Sequence, residues 1–400
     1  MSFRLSNIHD YNRFIAIDLG SYRVRTCIYE IAEGQLILKW RSSIRQNRKD
    51  FLDGSITDLR WVAETIERSI ITASAKLDHI PEDIILTFSP EVTIYDAVTT
   101  QYIRADRDSM ITMEEIDTMI KKIEYESLGR AREKSKKQFG IIHDDIRLIS
   151  STLTAISIDG KKVTNPLGFT GSNIRIRVLN VYAPASEYNI MRSIISSLGK
   201  RLISVVPTPL LFSKVIERSE YAMGNNVYLD IGYMHTTIVI ESKNEILTFE
   251  TFPFGTKMLI EMLSKQYTER SYLEVENILC DETPETDHVL RDSVVKEFFH
   301  YITDVLLSLL SQEKEKIQIS HIFLSGWIFG NKNYKSMFHH TFHTIYHDDV
   351  RVLLFTEVSE KKIDTDATMC HALGILAEEL LVTKKDPLIR ILRYVLYNYE

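Results

Sequence analysis

Cysteine is scarce. Cys27, Cys280 and Cys370 are the only three in 400 residues, an odd number, widely spaced and with no CxxC pair. That excludes a disulfide framework and a thiolate metal knuckle, and it suits reduced thiols in a cytoplasmic compartment. A surplus of basic charge is also missing. The formal net charge is −7, which argues against a general nucleic-acid binder, so no nucleic-acid partner is expected. No apolar run approaches the roughly 20 residues that span a bilayer. The best short run, 305–310, lies between Asp304 and Gln312 and reads as a buried helix. Residues 1–13 are polar and carry no apolar h-region, so no secretory leader is expected.

The chain is otherwise ordinary in composition, 44% hydrophobic and 26% charged, and its 400 residues predict two or more domains. One short pattern occurs twice. Phe14-Ile15-Ala16-Ile17-Asp18-Leu19-Gly20-Ser21 precedes an apolar-rich run at 24–29, and Val227-Tyr228-Leu229-Asp230-Ile231-Gly232-Tyr233 precedes Ile238-Val239-Ile240. Each is an apolar strand ending in Asp-x-Gly, a tight turn and a second β-branched strand. An aspartate at a strand end can hold hydrated Mg²⁺, and a glycine lets backbone N–H groups approach a phosphate. Alone, each aspartate is equally well read as a turn-former. Two such hairpins far apart suggest two similar half-domains facing each other across a nucleotide.

Strand-like and helical segments alternate, which predicts an α/β fold. Strands are expected at 36–40, 84–88, 174–182, 203–206 and 319–325, and helices at 58–76, 209–220, 294–310 and 367–381. Between 86 and 172 the texture changes to a small α+β insertion. A strand is expected at 92–97. Thr112 and Glu115 form a capping box that opens a helix with Ile116, Met119, Ile120 and Ile123 on one face. Residues 130–137 are strongly basic and expected to be mobile, and 148–158 is a long β-rich run. Beyond 172 the main fold is expected to resume at Ile174. Ser186 is the expected cap of a helix bearing Ile190, Met191, Ile194, Ile195 and Leu198, which Gly199 stops.

A third loop, Ile322-Phe323-Leu324-Ser325-Gly326, is an apolar strand running into a small-residue turn. The order of Asp18-Leu19-Gly20-Ser21, Asp230-Ile231-Gly232 and Leu324-Ser325-Gly326 resembles the two-lobed actin-like ATPases, where such a third turn lies against adenosine. Asn165-Pro166-Leu167-Gly168-Phe169-Thr170-Gly171 narrows the match. It resembles the Asn-Pro-x-Gly-Leu-x-Gly turn that ends the inserted subdomain of the bacterial cell-division protein FtsA, a subdomain shared with its pilus relatives. The element order follows the FtsA plan along nearly the whole chain.

The resemblance implies a two-lobed actin-like (ribonuclease H-like) α/β fold. Residues 13–85, 173–222 and 366–382 would form the first lobe and 86–172 its inserted subdomain. Residues 223–257 and 300–365 would form the core of the second lobe, 258–299 its small peripheral subdomain, and 383–400 an amphipathic membrane-targeting helix. It also implies a site for ATP with Mg²⁺. Asp18 and Asp230 would hold the metal, Gly20, Ser21, Arg23 and Gly232 would face phosphate, and Gly326 would face the adenine or ribose. Arg23 stands where the family often has lysine. The chain departs from the family at its second loop, where Tyr233, Met234 and His235 replace glycines and threonine and Thr237 stands for a later aspartate, and at Trp327, where a second glycine is usual. ATP binding with weak or no hydrolysis is expected, and Tyr233, Met234 and Trp327 leave weakened binding, or none, as alternatives to normal binding.

Pro387 can start a helix with Leu388, Ile391, Leu392, Val395, Leu396 and Tyr399 on one stripe and Arg390 and Arg393 beside it. Burial of each apolar side chain is worth about 1.5–3 kcal/mol, against an ordering cost of about 1–2 kcal/mol per residue. One copy would hold a membrane weakly and a polymer would hold it by avidity. The pattern alone equally suits packing on the protein's own body. By resemblance this helix is the membrane anchor of a cytoplasmic, peripheral scaffold. Such a scaffold polymerises on anionic lipids at the division site, binds the C-terminal tail of FtsZ and recruits later division proteins. A PilM-like pilus-assembly protein and a small-molecule kinase of the same superfamily are the alternatives. His339, His343 and His347 share helical spacing that can bind Zn²⁺, though a solvated polar face is the plainer account.

Overall fold

The computed structural model describes residues 13–375 apart from 34, 48, 53, 89, 140–144, 164, 218, 244, 281–287, 313–316, 348 and 359–371. The segment 383–400, with Leu388, Arg390, Ile391, Leu392, Arg393, Val395 and Leu396, lies outside the described residues, as does most of the helix expected at 367–381. Residues 372–375 are helical, and Ala372, Leu373 and Ile375 are buried in the first lobe's core.

Strand β1 (Arg13–Leu19) is apolar on both faces because it runs through the centre of a sheet. Phe14, Ile15, Ala16 and Ile17 are at most 1% exposed. It pairs antiparallel with β2 (Arg23–Ala32), which pairs with β3 (Gln35–Arg45). A small hairpin of β4 (Phe51–Leu52) and β5 (Ser55–Ile56) leads to helix α1 (Leu59–Ser74). Asp58 caps that helix by accepting from Arg60 N and Trp61 N, and Val62, Ile66 and Ile70 face the core. Strand β6 (Asp83–Phe88) then lies parallel to β1.

The insertion follows. It comprises β7 (Ile94–Ile103), α2 (Met113–Phe139), β8 (Ile146–Ile158), β9 (Lys161–Lys162) and β10 (Asn173–Pro184). Its sheet has the order β7-β10-β8-β9. The pairing of β10 differs from the expectation that the first lobe resumes at Ile174. Strand β10 is the centre of the inserted sheet, where Ile174, Ile176 and Val178 pack against Ile116, Met119, Ile120 and Ile123 of α2. The basic stretch 130–137 is likewise not a loose segment. It continues α2, and Arg130 and Lys134 reach the carboxylate of Asp96 at 2.9 and 3.5 Å. The capping box is half formed. Thr112 accepts from Glu115 N at 3.3 Å, but the Glu115 carboxylate turns to Arg104 Nε at 2.7 Å.

Helix α3 (Ala185–Ser197), β11 (Arg201–Pro207) and α4 (Thr208–Glu217) return to the first lobe. Pro184, not Ser186, occupies the N-cap, and Ala185 N, the first of the helix, donates to Asp145 O at 3.0 Å. The helix ends as read: Gly199 N donates to Ser196 O and Lys200 N to Ile195 O. The first-lobe sheet has the order β11-β6-β1-β2-β3.

The second lobe repeats this plan. β12 (Asn225–Ile231), β13 (Thr236–Ser242) and β14 (Glu245–Phe252) form the antiparallel half. Helices α5 (Thr256–Ser264), α6 (Tyr272–Cys280) and α7 (His288–Gln312) intervene, then β15 (His321–Ser325), α8 (Lys332–Ile345) and β16 (Arg351–Leu354). Its sheet order is β14-β13-β12-β15-β16, the same order as the first when each lobe is counted from its own first strand. β1 and β12 even share one burial pattern, with Asp18 and Asp230 as the only partly exposed residues after the strand's first position.

Candidate functional site: the cleft between two matched hairpins

The two Asp-x-Gly turns are built alike. In the first, Gly20 N donates to Arg23 O at 3.1 Å; in the second, Gly232 N donates to His235 O at 2.9 Å. A Cβ on Gly20 would stand 3.1 Å from Arg23 O, and one on Gly232 2.9 Å from His235 O. Hairpin closure therefore calls for both glycines. Gly326 is held more tightly. Its φ is +123°, and a Cβ there would lie 2.2 Å from Ile231 O, where the third turn crosses the end of β12.

All seven residues predicted to face a nucleotide line one cavity of about 110 Å³: Asp18, Gly20, Ser21, Arg23, Asp230, Gly232 and Gly326. Thr87, Glu91, His235 and Ser325 join them. Asp18 accepts from the Thr87 hydroxyl at 3.0 Å and faces Arg25 Nη1 at 3.2 Å, while Thr87 also accepts from Leu19 N. Asp230 is the matched carboxylate. Burial pushes its pKa up to about 6, the Ser325 hydroxyl opposes the rise, Asp18 and Glu91 add to it and Arg25 reduces it. Glu91 of the first lobe lies 2.8 Å from His235 Nδ1 of the second hairpin. Thr87 and Ser325 end equivalent strands, so carrying the internal repeat on to its fourth strand would have found both. Glu91 and Arg25 give no such signal.

The cavity's far side is filled by aromatic rings. Tyr22, between Ser21 and Arg23, leaves the first lobe and stacks on Tyr233 (centroids 5.0 Å apart, planes 26°) and on Trp327 (5.5 Å, 21°). Arg23 donates to Ser43 Oγ at 3.3 Å and lies over the Tyr22 ring. Gly255 ties the second loop down: Thr256 N donates to Gly232 O and Lys257 N to Tyr233 O. A Cβ on Gly255 would meet Gly232 O and Tyr233 O at 2.6 Å.

The histidine face does not assemble a site. His339 and His343 lie on α8 with rings 6.3 Å apart, and His347 falls beyond the helix end. Among the described residues no group of three or more His, Cys, Asp or Glu is placed to hold a metal.

No family model matches the chain, and no curated protein matches it. Solved structures do. A chain of the PilM–PilN type IV pilus biogenesis complex superposes with TM-score 0.67 at 12% identity, covering 92% of this chain and 98% of that one. The ethanolamine utilization protein EutJ from Carboxydothermus hydrogenoformans superposes with TM-score 0.53 at 11% identity, covering 92% and 90%. Diol dehydratase-reactivating factor, in its nucleotide-free form, superposes with TM-score 0.50 at 8% identity, covering 92% and 100%. The chain has the two-lobed actin-like ATPase fold. At these identities the likeness shows the fold alone and does not single out FtsA.

Proteins with the actin-like ATPase fold generally bind ATP with Mg²⁺. The donors here suit half of that ligand. Asp18 and Asp230 are hard oxygen donors of the kind Mg²⁺ takes. The space does not suit the whole nucleotide: about 110 Å³ compares with about 300–1,000 Å³ for ordinary ligand pockets. No membrane-spanning helix is present among the described residues.

Proposed function

We propose that the chain is an FtsA-like scaffold, peripheral on the inner face of the cell membrane at the division site. It polymerises, tethers the FtsZ ring by its C-terminal tail and recruits later division proteins. One observation weighs for it over the pilus relatives, the apolar stripe with flanking arginines at 387–400; the four-stranded subdomain inserted between β6 and α3 and closed by the Asn165–Gly171 turn suits both. That turn is an ordered part of the subdomain. Asn165 Oδ1 accepts from Leu167 N, Phe169 N donates to Pro166 O, and Gly168 N and Ile111 N bind it to the start of α2.

The membrane contact belongs to 387–400, with Leu388, Ile391, Leu392, Val395 and Leu396 toward lipid and Arg390 and Arg393 toward anionic headgroups. If the cleft admits a nucleotide, Asp18 and Asp230 are its metal side, Gly20, Ser21, Arg23 and Gly232 its phosphate side and Gly326 its adenosine side. The scaffold does not depend on hydrolysis, and a small-molecule kinase activity is disfavoured by the altered second loop, where Tyr233, Met234 and His235 follow Gly232. The test is flotation with anionic vesicles, with and without 387–400, together with a pull-down on an FtsZ tail peptide. Flotation lost with the tail and retention on the peptide are expected. Failure of the full chain to float, or phosphorylation of a small molecule, refutes the scaffold.

A second reading is a PilM-like receptor for a short peptide of a membrane-bound partner. The superposition on the PilM–PilN complex, over 98% of that chain, favours it. Retention on a PilN-type peptide and not on the FtsZ peptide would select it.

A further inference from the structure

In a two-lobed fold of this kind a nucleotide can bridge the lobes by touching both hairpins and the third turn. Here the same three loops touch one another. Tyr22 belongs to the first hairpin, yet its side chain sits in the hydrophobic core of the second lobe and is only 9% exposed. The polar end of each stacked ring is already engaged. Tyr22 Oη donates to Glu276, Tyr233 Oη pairs with Tyr272 Oη at 2.8 Å, and Trp327 Nε1 donates to Thr256 Oγ1 at 2.9 Å.

Glu276 is the key acceptor. It lies on α6 of the second lobe, is 4% exposed, and takes donors from the first lobe on both oxygens: Tyr22, and Arg45 Nη2 at 2.6 Å. The Arg45 and Arg23 guanidinium groups also lie over the Tyr22 ring, at 5.1 and 5.4 Å from its centroid. Opening the lobes would strip a buried carboxylate of two donors and expose two apolar ring faces together. The contact between Glu91 and His235 also crosses the cleft.

We propose that Tyr22, Tyr233 and Trp327, fastened by Glu276 and Arg45, form a built-in latch that holds the two lobes together where a nucleotide would, so that the resting protein excludes MgATP. The chain is thereby a nucleotide-independent member of its fold, closed by its own side chains. This goes beyond the scaffold reading and is independent of which partner the surface binds.

The test uses the full chain as wild type, Tyr22→Ala, Tyr22→Phe and Glu276→Gln. MgATP binding is followed by equilibrium dialysis, lobe opening by small-angle scattering, and opening of the second hairpin (230–237) by amide hydrogen exchange. The wild type is expected to show no saturable MgATP binding up to about 1 mM and no change in radius of gyration with nucleotide. Tyr22→Ala is expected to widen the molecule, to speed exchange in the hairpin about tenfold or more, the equivalent of about 1.4 kcal/mol of lost closure, and to admit MgATP. Should Tyr22→Ala fail to fold, Tyr22→Phe and Glu276→Gln decide, since both keep the packing and weaken the fastening, the first by removing the Tyr22 donor and the second by removing the charge and one acceptor oxygen of Glu276; each is expected to speed hairpin exchange. Micromolar MgATP binding by the wild type overturns the latch. So do folded variants whose hairpin exchanges at the wild-type rate. Partner binding is not read by these measurements, so the latch and the scaffold can fail separately.

Discussion

Replacing Gly326 by alanine separates a glycine needed by the backbone from one needed by a ligand. The residue sits at φ +123° and ψ 151°, a region almost closed to residues with a Cβ. Holding alanine there costs about 1–3 kcal/mol. The new methyl would also lie 2.2 Å from Ile231 O, whereas carbon–oxygen contacts open at about 3.3 Å. The third turn must retreat by about 1 Å, and it is anchored by the Asp230–Ser325 register of β12 and β15. Losing one or two ladder bonds adds about 0.5–1.5 kcal/mol each. Gly326→Ala should therefore destabilise the protein by about 2–5 kcal/mol with no nucleotide present. Urea unfolding followed by fluorescence and circular dichroism measures this. Gly330→Ala is the internal control, because a Cβ there meets nothing within 4 Å. If the two variants unfold at the same urea concentration, the close approach of the third turn is not what requires glycine, and the argument fails.

Three further outcomes follow from buried polar groups. Tyr228→Phe removes the hydroxyl that donates to Glu241 Oε2 at 2.7 Å, with both residues at 0% exposure; a loss of about 1–3 kcal/mol in urea unfolding is expected, and an unchanged midpoint refutes the bond's worth. Glu124, buried on α2, has its pKa pushed up to about 7, first by desolvation. The folded state holds that proton where the unfolded chain, near 4.5, has released it, so stability should fall as pH rises between those values, by about 1.4 kcal/mol per unit at most; Glu124→Gln should flatten the profile, and an equally steep one refutes the assignment. Arg104, 7% exposed, donates to Glu115, to Ser109 twice and to Gly171 O; lysine cannot reproduce that fork, so Arg104→Lys should cost about 2 kcal/mol or more and speed proteolysis within the inserted subdomain, and wild-type resistance would count against it.

What could be read in advance divides along a physical line. The hairpins were legible because a strand buried on both faces must be apolar throughout, and because the turn after it must let a backbone N–H close back on a carbonyl. Those are local demands, and they leave a local pattern. The convergence of Asp18, Asp230 and Gly326 was legible because the pattern recurs and the fold resemblance supplied the order of the loops. Strand β10 was placed only in part, for the opposite reason. Its residues demand burial, but the division between the first lobe's core, which takes Leu179, Val181 and Ala183, and α2, which covers Ile174, Ile176 and Val178, depends on partners at distant positions, such as Ile116 and Ile120. The basic run 130–137 misled in the same way. Its charges look solvated until Asp96, more than thirty residues earlier, is seen to pair with Arg130 and Lys134.

Tyr22 is the sharpest case. In sequence it stands between Ser21 and Arg23, in a turn that resembles a phosphate loop, where a tyrosine would be expected to lie in solvent. Its fate is decided by Glu276, 254 residues away, and by two rings on separate loops. The departures at Tyr233 and Trp327 were visible as lost glycines, and each alone reads as decay of a binding site. Together with Tyr22 they are a replacement. Three bulky residues, with Tyr22 stacked on both of the others and each with its polar atom engaged, are difficult to obtain by loss alone, because an orphaned buried hydroxyl or indole costs about 1–3 kcal/mol. The cleft keeps the glycine turns of its fold because the hairpins need them to close. Its far wall has been rebuilt around side chains that hold the two lobes together.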